Sequence, residues 1–486
     1  MGKYKSIDRN TVFISFLWKI LERLSVQGVQ FFIQIILARL LTPSDYGLLA
    51  LIIIFIQIAN AFVQSGFSTA LIQKHDTDEA DFSSVFYLSL AVAALFYAVL
   101  FFTAPFIASF YKETKLISVI RILSITLFFG ALNSVQTAFV TRKMQFKKIF
   151  FSSLIASVFS GILGIVFAYN NYGVWALVAQ QLSNIILVSF ILLLITEWKP
   201  KICFSITKLK KLFSFGKNLL CSGLLEIIYR NVYTLIVGKI YDTAMVGVFT
   251  RGPQFPEVVA STIDTSIQTV MLPTLSSKND DKEFVKQSLR RSMGVSAFIM
   301  MPLMFGLIAS AEPLVRILLS NKWLGCVPFL RLACIRCALL PIHTANLTAI
   351  NAMGRSDIFF KLEIIKRGIM TLFLFITIPL GVYYMAFGQV LIAVISLLIN
   401  AYPNKNLLNY SYAEQIKDLL PSILLSLFMC ACVYVIQFLQ FSDILILLLQ
   451  VFVGCGIYIG VSGILKLTSF NYIISTLRRG KNAENR

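Results

Sequence analysis

Long apolar runs alternate with short polar stretches along almost the whole of this sequence. A helix needs about 20 apolar residues to cross a bilayer, and by that measure the chain holds about fourteen such runs. The pattern predicts an all-α polytopic membrane protein with no soluble domain inserted between its spans. The predicted spans are 12–40, 46–73, 83–110, 116–140, 150–169, 173–196, 212–239, 244–275, 288–310, 324–350, 359–380, 382–402, 419–438 and 443–465.

Composition supports this fold class and excludes others. Hydrophobic residues make up 57% of the 486 residues and charged residues 14%, and the mean hydropathy is +0.80. A cytosolic enzyme, a secreted disulfide scaffold or a disordered chain could not keep so much apolar surface out of water. The net charge of +20 would suggest nucleic acid as a partner of a soluble chain. Here most of that charge lies in loops, so no nucleic-acid partner is predicted.

Lysine and arginine are concentrated in alternate loops, and this asymmetry orients the chain because basic loops stay cytoplasmic. The opposite loops at 169–173, Gly381 and 440–443 carry no Lys or Arg. The basic residues of the cytoplasmic loops and the C-terminal tail are Arg142, Lys143, Lys147, Lys148, Lys199, Lys201, Lys208, Lys210, Lys211, Lys278, Lys282, Lys286, Arg290, Arg291, Arg478, Arg479, Lys481 and Arg486. Both termini are therefore predicted to be cytoplasmic.

The two halves of the chain resemble each other when residues 36–51 are laid over residues 236–251, which places Gly47 on Gly247. Polar positions on the following spans coincide as well. This repeat predicts two six-helix lobes related by an axis along the membrane normal, followed by two further helices. The predicted division is 1–196 for the N-terminal lobe, 197–211 for a cytoplasmic linker, 212–402 for the C-terminal lobe, 403–465 for the two additional spans and 466–486 for a basic cytoplasmic tail.

Polar side chains recur every three or four residues on several predicted spans, so they form stripes along single helix faces. Because ionisable groups in hydrocarbon are costly, we expect these stripes to line a central polar cavity between the lobes. Arginine suits diphosphate and carboxylate groups, and amides suit sugar hydroxyls. The candidate substrate-binding residues are Arg23, Gln27, Gln30, Gln57, Arg230, Arg251, Gln254 and Arg336. The candidate ion-coupling residues are Glu226, Glu257 and Asp264.

These polar groups have an alternative role as hydrogen-bonding contacts between helices that never touch a substrate. Glu226 and Arg230 have the i, i+4 spacing of an ion pair, so the alternative role is best supported for these two residues. No acid lies one turn away from Arg251 or Arg336 on the same helix. An unpaired buried cation is costly, so a substrate role is favoured for these two residues and for Arg23.

Signatures of catalysis are missing from the sequence, so we expect neither an enzyme nor a cofactor or metal site. His75 and His343 are the two histidines, too few for a metal cluster, and no Gly-rich phosphate loop occurs. The acidic run at 75–81 precedes a predicted helix and is expected to cap its N-terminus. The eight cysteines lack the paired spacings of a disulfide framework and are predicted to be free, buried thiols.

Seven motifs, distributed over both halves, resemble one known family. The first half carries ARLLTPSDYGLLAL, GFSTALIQKHDTDEADFSSVFYLSL and VTRKMQFKKIF. The second half carries IVGKIYDTAMVGVFTRGPQFPE, MLPTLS, LLSNKWLGCVPFLRL and NAMGRSDIFFKLEIIKR. Together they are similar to the polysaccharide exporters of the Wzx type, which take part in lipopolysaccharide biosynthesis. That family lies in the superfamily of multidrug, oligosaccharidyl-lipid and polysaccharide exporters.

The resemblance implies two helix bundles around a central cavity, with alternating access. It implies that an undecaprenyl-diphosphate-linked oligosaccharide of O-antigen, capsule or exopolysaccharide crosses the bacterial inner membrane. Arg23, Arg230, Arg251 and Arg336 would then meet the anionic carrier. The implied partners are this lipid-linked substrate and membrane lipids, with polysaccharide polymerases and glycosyltransferases as further candidates.

Two other functions stay open at this point. A cation-coupled drug antiporter of the same superfamily would use Glu257 and Asp264, but a cationic cavity repels drug cations. A membrane polysaccharide polymerase or ligase would be expected to have a large outer loop, and every predicted outer loop is short.

Overall fold

A computed structural model of the chain describes residues 9–64, 66–74, 77–278 and 280–484. These residues form helices joined by short turns, with no strand among them. Close backbone contacts divide the chain into two compact units, Met1–Gly247 and Val248–Arg486. This division groups residues 197–211 with the first unit, whereas the predicted lobes rest on the sequence repeat and stay a prediction.

The first unit is built from nine helices and the first turn of a tenth. They are α1 (Arg9–Leu40), α2 (Pro43–Gln64), α3 (Phe67–Gln73), α4 (Glu79–Tyr111), α5 (Lys115–Leu123), α6 (Thr126–Arg142), α7 (Phe146–Tyr169), α8 (Val174–Ile195), α9 (Ile206–Ile240) and α10 (Thr243–Ser276).

Small residues allow the helices of the first unit to approach closely. On α7, which packs against α1 and α8, a Cβ on Gly161 would lie 2.6 Å from Ile33 Cγ1, and one on Gly164 would lie 3.0 Å from Gln180 Cβ. Lipid tails give no hydrophobic drive for helix association, so close van der Waals packing of this kind holds the bundle together.

The second unit continues α10 and adds eight helices with three short 3-10 helices. They are α11 (Lys282–Leu318), a 3-10 helix (Asn321–Cys326), α12 (Val327–Ala338), α13 (Leu340–Ala352), α14 (Ser356–Thr377), a 3-10 helix (Ile378–Leu380), α15 (Val382–Leu408), α16 (Tyr412–Val435), a 3-10 helix (Ile436–Phe438), α17 (Asp443–Ile464) and α18 (Thr468–Glu484). Helix α11 is central, since it packs against α12, α13, α16, α17 and α18.

Three predicted spans are broken helices. The span 46–73 breaks at Gly66, whose φ of 69° requires a left-handed conformation. The span 116–140 breaks at Ser124, whose hydroxyl donates to the Ile120 carbonyl at 2.6 Å and competes with the helix ladder. The span 324–350 breaks before Pro341, which has no N–H to continue the helix.

Twelve segments of the described residues are long and apolar enough to cross a membrane, which supports the predicted all-α polytopic fold. Helices α10 and α14 are long but do not meet the same criterion. The first contains Arg251, Glu257 and Asp264, and the second is rich in charge over its first half. The count of about fourteen spans therefore stays a prediction.

The capping role predicted for the acidic run is confirmed at the start of α4. Asp78 accepts from the Asp81 backbone at 2.9 Å, and the Asp81 side chain accepts from the Asp78 backbone at 3.1 Å. Lys74 also binds both carboxylate oxygens of buried Asp81 at 2.7 Å. His75, in the same run, lies outside the described residues. All eight cysteines are free, as predicted, but the prediction that they are all buried was wrong, since Cys221 and Cys455 are exposed.

Candidate functional site

A polar cavity of about 940 Å³ lies within the first unit. Helices α2, α6 and α9 form most of its wall, and Gly66, α3 and α8 complete it. Its polar and charged lining residues are Gln57, Asn60, Gln64, Ser68, Asn133, Ser134, Thr137, Glu226, Arg230 and Asn231.

The cavity follows from the amphipathic pattern of its helices. On α2, Gln57, Asn60 and Gln64 share one face, while buried leucines and isoleucines cover the other. On α9, Gly223 lines the cavity, and a Cβ there would meet no atom within 4 Å, so this position leaves the space open. The helices therefore bury their apolar faces and leave their amides around one hollow.

Hydrogen bonds between the lining residues use only some of their donors and acceptors. Asn231 donates to Gln57 Oε1 at 3.4 Å and also to the Ile227 carbonyl at 2.8 Å. Thr137 donates to Asn133 Oδ1 at 3.1 Å. Each amide has up to four hydrogen-bonding positions, so donors and acceptors remain for a ligand.

Glu226 and Arg230 supply opposite charges to this cavity. They lie one turn apart on α9, and both are exposed to it. Arg230 is the one cation among the described lining residues. An anionic group entering the cavity would therefore find one guanidinium with five fixed donors.

The stripe on α1 makes contacts of another kind. Gln30 donates to Ser157 Oγ on α7 at 2.8 Å and accepts from Gln180 on α8 at 3.3 Å. These bonds join helices, which is the alternative role considered for the stripes. Arg23 and Gln27 are exposed, and α1 contributes none of the described residues that line the cavity.

In the second unit, Arg251 is buried near the start of α10. Its Nη1 donates to Gln254 Oε1 at 2.6 Å. The helix lies very close to its neighbour here, because a Cβ on Gly252 would be 2.6 Å from the Cys326 carbonyl oxygen and 2.9 Å from Leu330 N. Burial and this tight packing place Arg251 away from open surface, whereas Gln254 is exposed.

Arg336 on α12 forms an ion pair with Glu257 on α10. The side chains retain 35% and 42% of their exposure, respectively. The sequence argument found no acid near Arg336 because it considered one helix at a time, and the partner lies on another helix. The premise that Arg336 is unpaired was therefore wrong.

Asp264 is buried two turns further along α10. Its Oδ2 accepts from Gln268 at 2.8 Å, and Thr344 on α13 lies beside the same carboxylate. The carboxylate is thus held between α10 and α13 by neutral partners.

A buried amide network in the second unit joins His343 and Asn346, which share a polar face in the sequence, to Asn400, Asn404 and Gln415, which the sequence argument missed. Asn404 donates to Asn346 Oδ1 at 2.7 Å, Asn346 donates to Gln415 Oε1 at 3.2 Å, and Asn400 lies 3.2 Å from His343 Nδ1. The i, i+4 spacing of Asn400 and Asn404 was the available signal. In the first unit, Asn133 and Thr137 on α6 had the same signal and were missed too.

An exposed ion pair occupies the GRSD motif before α14. Arg355 donates to both carboxylate oxygens of Asp357 at 2.9 and 3.0 Å. The guanidinium lowers the pKa of Asp357 to about 2. The carboxylate is therefore ionised, and the pair present, at every physiological pH.

Comparison with known proteins gives a family and a fold. The model of the family described as "Polysaccharide biosynthesis protein" matches residues 36–328. The succinoglycan biosynthesis transport protein ExoT of Rhizobium meliloti is 24% identical over 362 residues, 74% of this chain and 73% of that protein. The teichuronic acid biosynthesis protein TuaB of Bacillus subtilis is 24% identical over 353 residues, 70% of this chain and 71% of the relative. The lipopolysaccharide biosynthesis protein WzxC of Escherichia coli is 20% identical over 423 residues, 84% of each chain.

Two solved structures share the fold. The lipid II flippase MurJ in an inward closed conformation has a TM-score of 0.73 at 17% identity, covering 93% of this chain and 98% of its own. An inward-facing multidrug resistance transporter of the MATE family has a TM-score of 0.61 at 16% identity, covering 79% and 95%. The resemblance found in the sequence motifs is confirmed, and because the family model covers more than half of its residues, this chain belongs to the polysaccharide biosynthesis protein family.

Proposed function

We propose that the protein translocates an undecaprenyl-diphosphate-linked oligosaccharide across a bacterial inner membrane by alternating access. Family membership and relatives named for succinoglycan transport and lipopolysaccharide biosynthesis support this proposal. Sharing its fold with a lipid II flippase supports it as well. The observation that carries it is the polar cavity among membrane helices in the first unit.

The chemistry of the cavity suits a sugar diphosphate headgroup. Eight amide and hydroxyl side chains lie in its wall, and they match the donors and acceptors of sugar hydroxyls. Arg230 offers a bidentate contact for a phosphate oxygen pair. A volume near the upper end of small-ligand sites suits a repeat unit better than a long polymer.

The predicted residues take different parts in this proposal. Gln57 and Arg230 contact the headgroup within the cavity. Arg23, Gln27 and Gln254, which are exposed, contact it along its route. Three of the predicted residues form contacts within the protein, namely Gln30, Arg251 and Arg336. They contact the headgroup only in a conformation in which those contacts rearrange.

Ion coupling is proposed for the three acids. Glu226 lies in the cavity with Arg230, Glu257 pairs with Arg336, and Asp264 is buried among neutral partners. Burial between α10 and α13 with neutral partners favours Asp264 over the other two acids for a coupling role. The basic loops support cytoplasmic termini. Polysaccharide polymerases and glycosyltransferases are proposed as further partners.

A deletion strain tests the proposal at the level of lipids. We expect a polyprenyl diphosphate carrying a complete repeat unit to accumulate on the cytoplasmic leaflet while the surface polysaccharide disappears, and its mass identifies the cargo. Wild-type protein should restore export, whereas Arg230→Gln should not. An unchanged lipid pool together with sensitivity to cationic dyes would contradict the proposal and favour drug antiport.

A further inference from the structure

The segment that joins α8 to α9 is an extended strap fixed to the start of α4. The backbone N–H of Lys201 donates to Ser83 Oγ at 3.2 Å, and that of Ser205 donates to Ser84 Oγ at 3.0 Å. Trp198 is buried beside Phe82 at the beginning of the strap. These contacts therefore fix the position of the strap against α4.

Side chains alternate along the second half of this strap. Cys203 and Ser205 point inward and are half-buried. Ile202, Phe204 and Ile206 point outward, with exposures of 100%, 55% and 62%. The hydrogen bonds to α4 hold the backbone at Lys201 and Ser205 against that helix, while the three apolar side chains stay exposed. Exposure of three neighbouring large apolar groups to water is unfavourable.

Positive charge surrounds these apolar side chains. Lysines stand at 199 and 201 before them and at 208, 210 and 211 after them, and no acid occurs between Glu197 and Glu226. Of the nearby acids, Glu197 pairs with Lys143 at 2.6 Å, and Glu79 pairs with Lys201, so Lys201 adds no net charge. The sequence on either side of the apolar triad still carries a surplus of lysines, at 199, 208, 210 and 211.

We propose that residues 199–211 form an interfacial anchor that binds anionic phospholipids. Ile202, Phe204 and Ile206 insert between headgroups and upper acyl chains, and the lysines that flank them in the sequence supply positive charge that attracts anionic lipid. A combination of apolar insertion and basic charge is the chemistry by which peripheral segments bind anionic bilayers.

A bilayer fits this surface better than a protein partner because the strap continues a lipid-facing surface. It leaves the end of α8, where Leu194 and Ile195 are exposed on a helix long and apolar enough to cross the membrane. The apolar triad thus starts within a few residues of the hydrocarbon boundary. This anchor does not depend on what the protein transports.

Spin labels at single positions test the anchor in the full-length protein. Cys203, Cys221, Cys430, Cys432 and Cys455 are replaced by serine, and the buried cysteines Cys326, Cys334 and Cys337 are kept because they do not react readily. Cysteine is then introduced at one position from 202 to 206. The labelled protein is reconstituted in vesicles of phosphatidylcholine alone, or of equal parts phosphatidylcholine and phosphatidylglycerol.

We expect the collision rates of the spin labels to alternate from one labelled position to the next. Labels at 202, 204 and 206 should collide more with oxygen, which partitions into lipid, than with a water-soluble nickel chelate. Labels at 203 and 205 should collide weakly with both reagents and serve as matched controls. Phosphatidylglycerol should increase the oxygen preference at the outward positions, and replacing Lys208, Lys210 and Lys211 with glutamine should remove that increase.

Two results would overturn the inference. A preference for the nickel chelate at 202, 204 and 206 in both vesicle types would place the triad in water. Immobile labels at these positions that neither reagent reaches would place it against protein, which in a purified sample means a second copy of this chain.

Discussion

The first turns of α2 and α10 approach so closely that we expect alanine at Gly47 or Gly247 to destabilise the first unit. A Cβ on Gly47 would lie 2.7 Å from Thr243 C and 2.9 Å from Gly247 N. A Cβ on Gly247 would lie 2.7 Å from Pro43 C and 3.1 Å from its Cα. The contact is reciprocal, since residue 47 meets 243 and residue 247 meets 43. Ser44 and Thr243 join the same turns through hydroxyl oxygens 2.6 Å apart.

The size of the effect follows from these distances. Carbon atoms normally rest about 3.5–4.0 Å apart, and the carbonyl oxygens of Thr243 and Pro43 lie closer still to the added Cβ, so alanine requires the two turns to separate by about 1–1.5 Å. Every atom in the way is backbone, and no side chain can rotate to make room. Overpacking of this kind costs about 1–3 kcal/mol, equivalent to a fall in Tm of about 2–12 °C for a unit of this size.

Thermal unfolding of purified protein in one detergent measures the loss. Gly28→Ala is the matched control, because Gly28 is also helical and a Cβ there meets no atom within 4 Å. Its Tm should equal or exceed that of wild type, since alanine favours the helix. One separation of the turns relieves both clashes, so the double variant should lose less than the sum of the single losses. Equal Tm values for Gly47→Ala and Gly28→Ala would refute this reasoning.

Three further predictions concern the charged sites. Arg336→Gln and Glu257→Gln should show a coupling of about 0.2–1 kcal/mol in a double-mutant cycle of unfolding, because the pair is partly exposed; additive losses would mean that the pair contributes nothing. Arg230→Gln should lower transport of the lipid-linked substrate at least tenfold with normal protein levels, and retained transport would remove this residue from the site. Asp81→Ala should cost about 1–3 kcal/mol by opening the cap of α4, whereas the exposed Asp280→Ala should cost almost nothing in the same melt.

The sequence predicted the fold class because a membrane span is a property of one continuous apolar segment. The repeat also placed Gly47 opposite Gly247 in the alignment, and these residues proved to lie in one reciprocal contact. Helix breaks were harder to foresee, although Gly66 and Pro341 were visible in the sequence. A hydrophobicity scale averages over single residues and does not register a break of one or two of them.

Pairings between helices were the part that the sequence could not provide. Periodicity identified the polar faces of α2 and α9, and three of the predicted residues, Gln57, Glu226 and Arg230, do meet in one cavity. The same periodicity gave no means of matching Arg336 with Glu257 or Gln30 with Ser157. Helix rotation and register decide such contacts, and both depend on packing that a single sequence does not specify.

Translocation by the purified protein is the most direct test of the central claim. The lipid that accumulates in a deletion strain is incorporated into vesicles with and without the protein. A membrane-impermeant glycosidase or oxidant is then added outside, and the fraction of headgroups that it reaches is followed over time. The account predicts that headgroups from the inner leaflet become accessible when wild-type protein is present, and much more slowly with Arg230→Gln. Equal accessibility in vesicles with and without wild-type protein would contradict it.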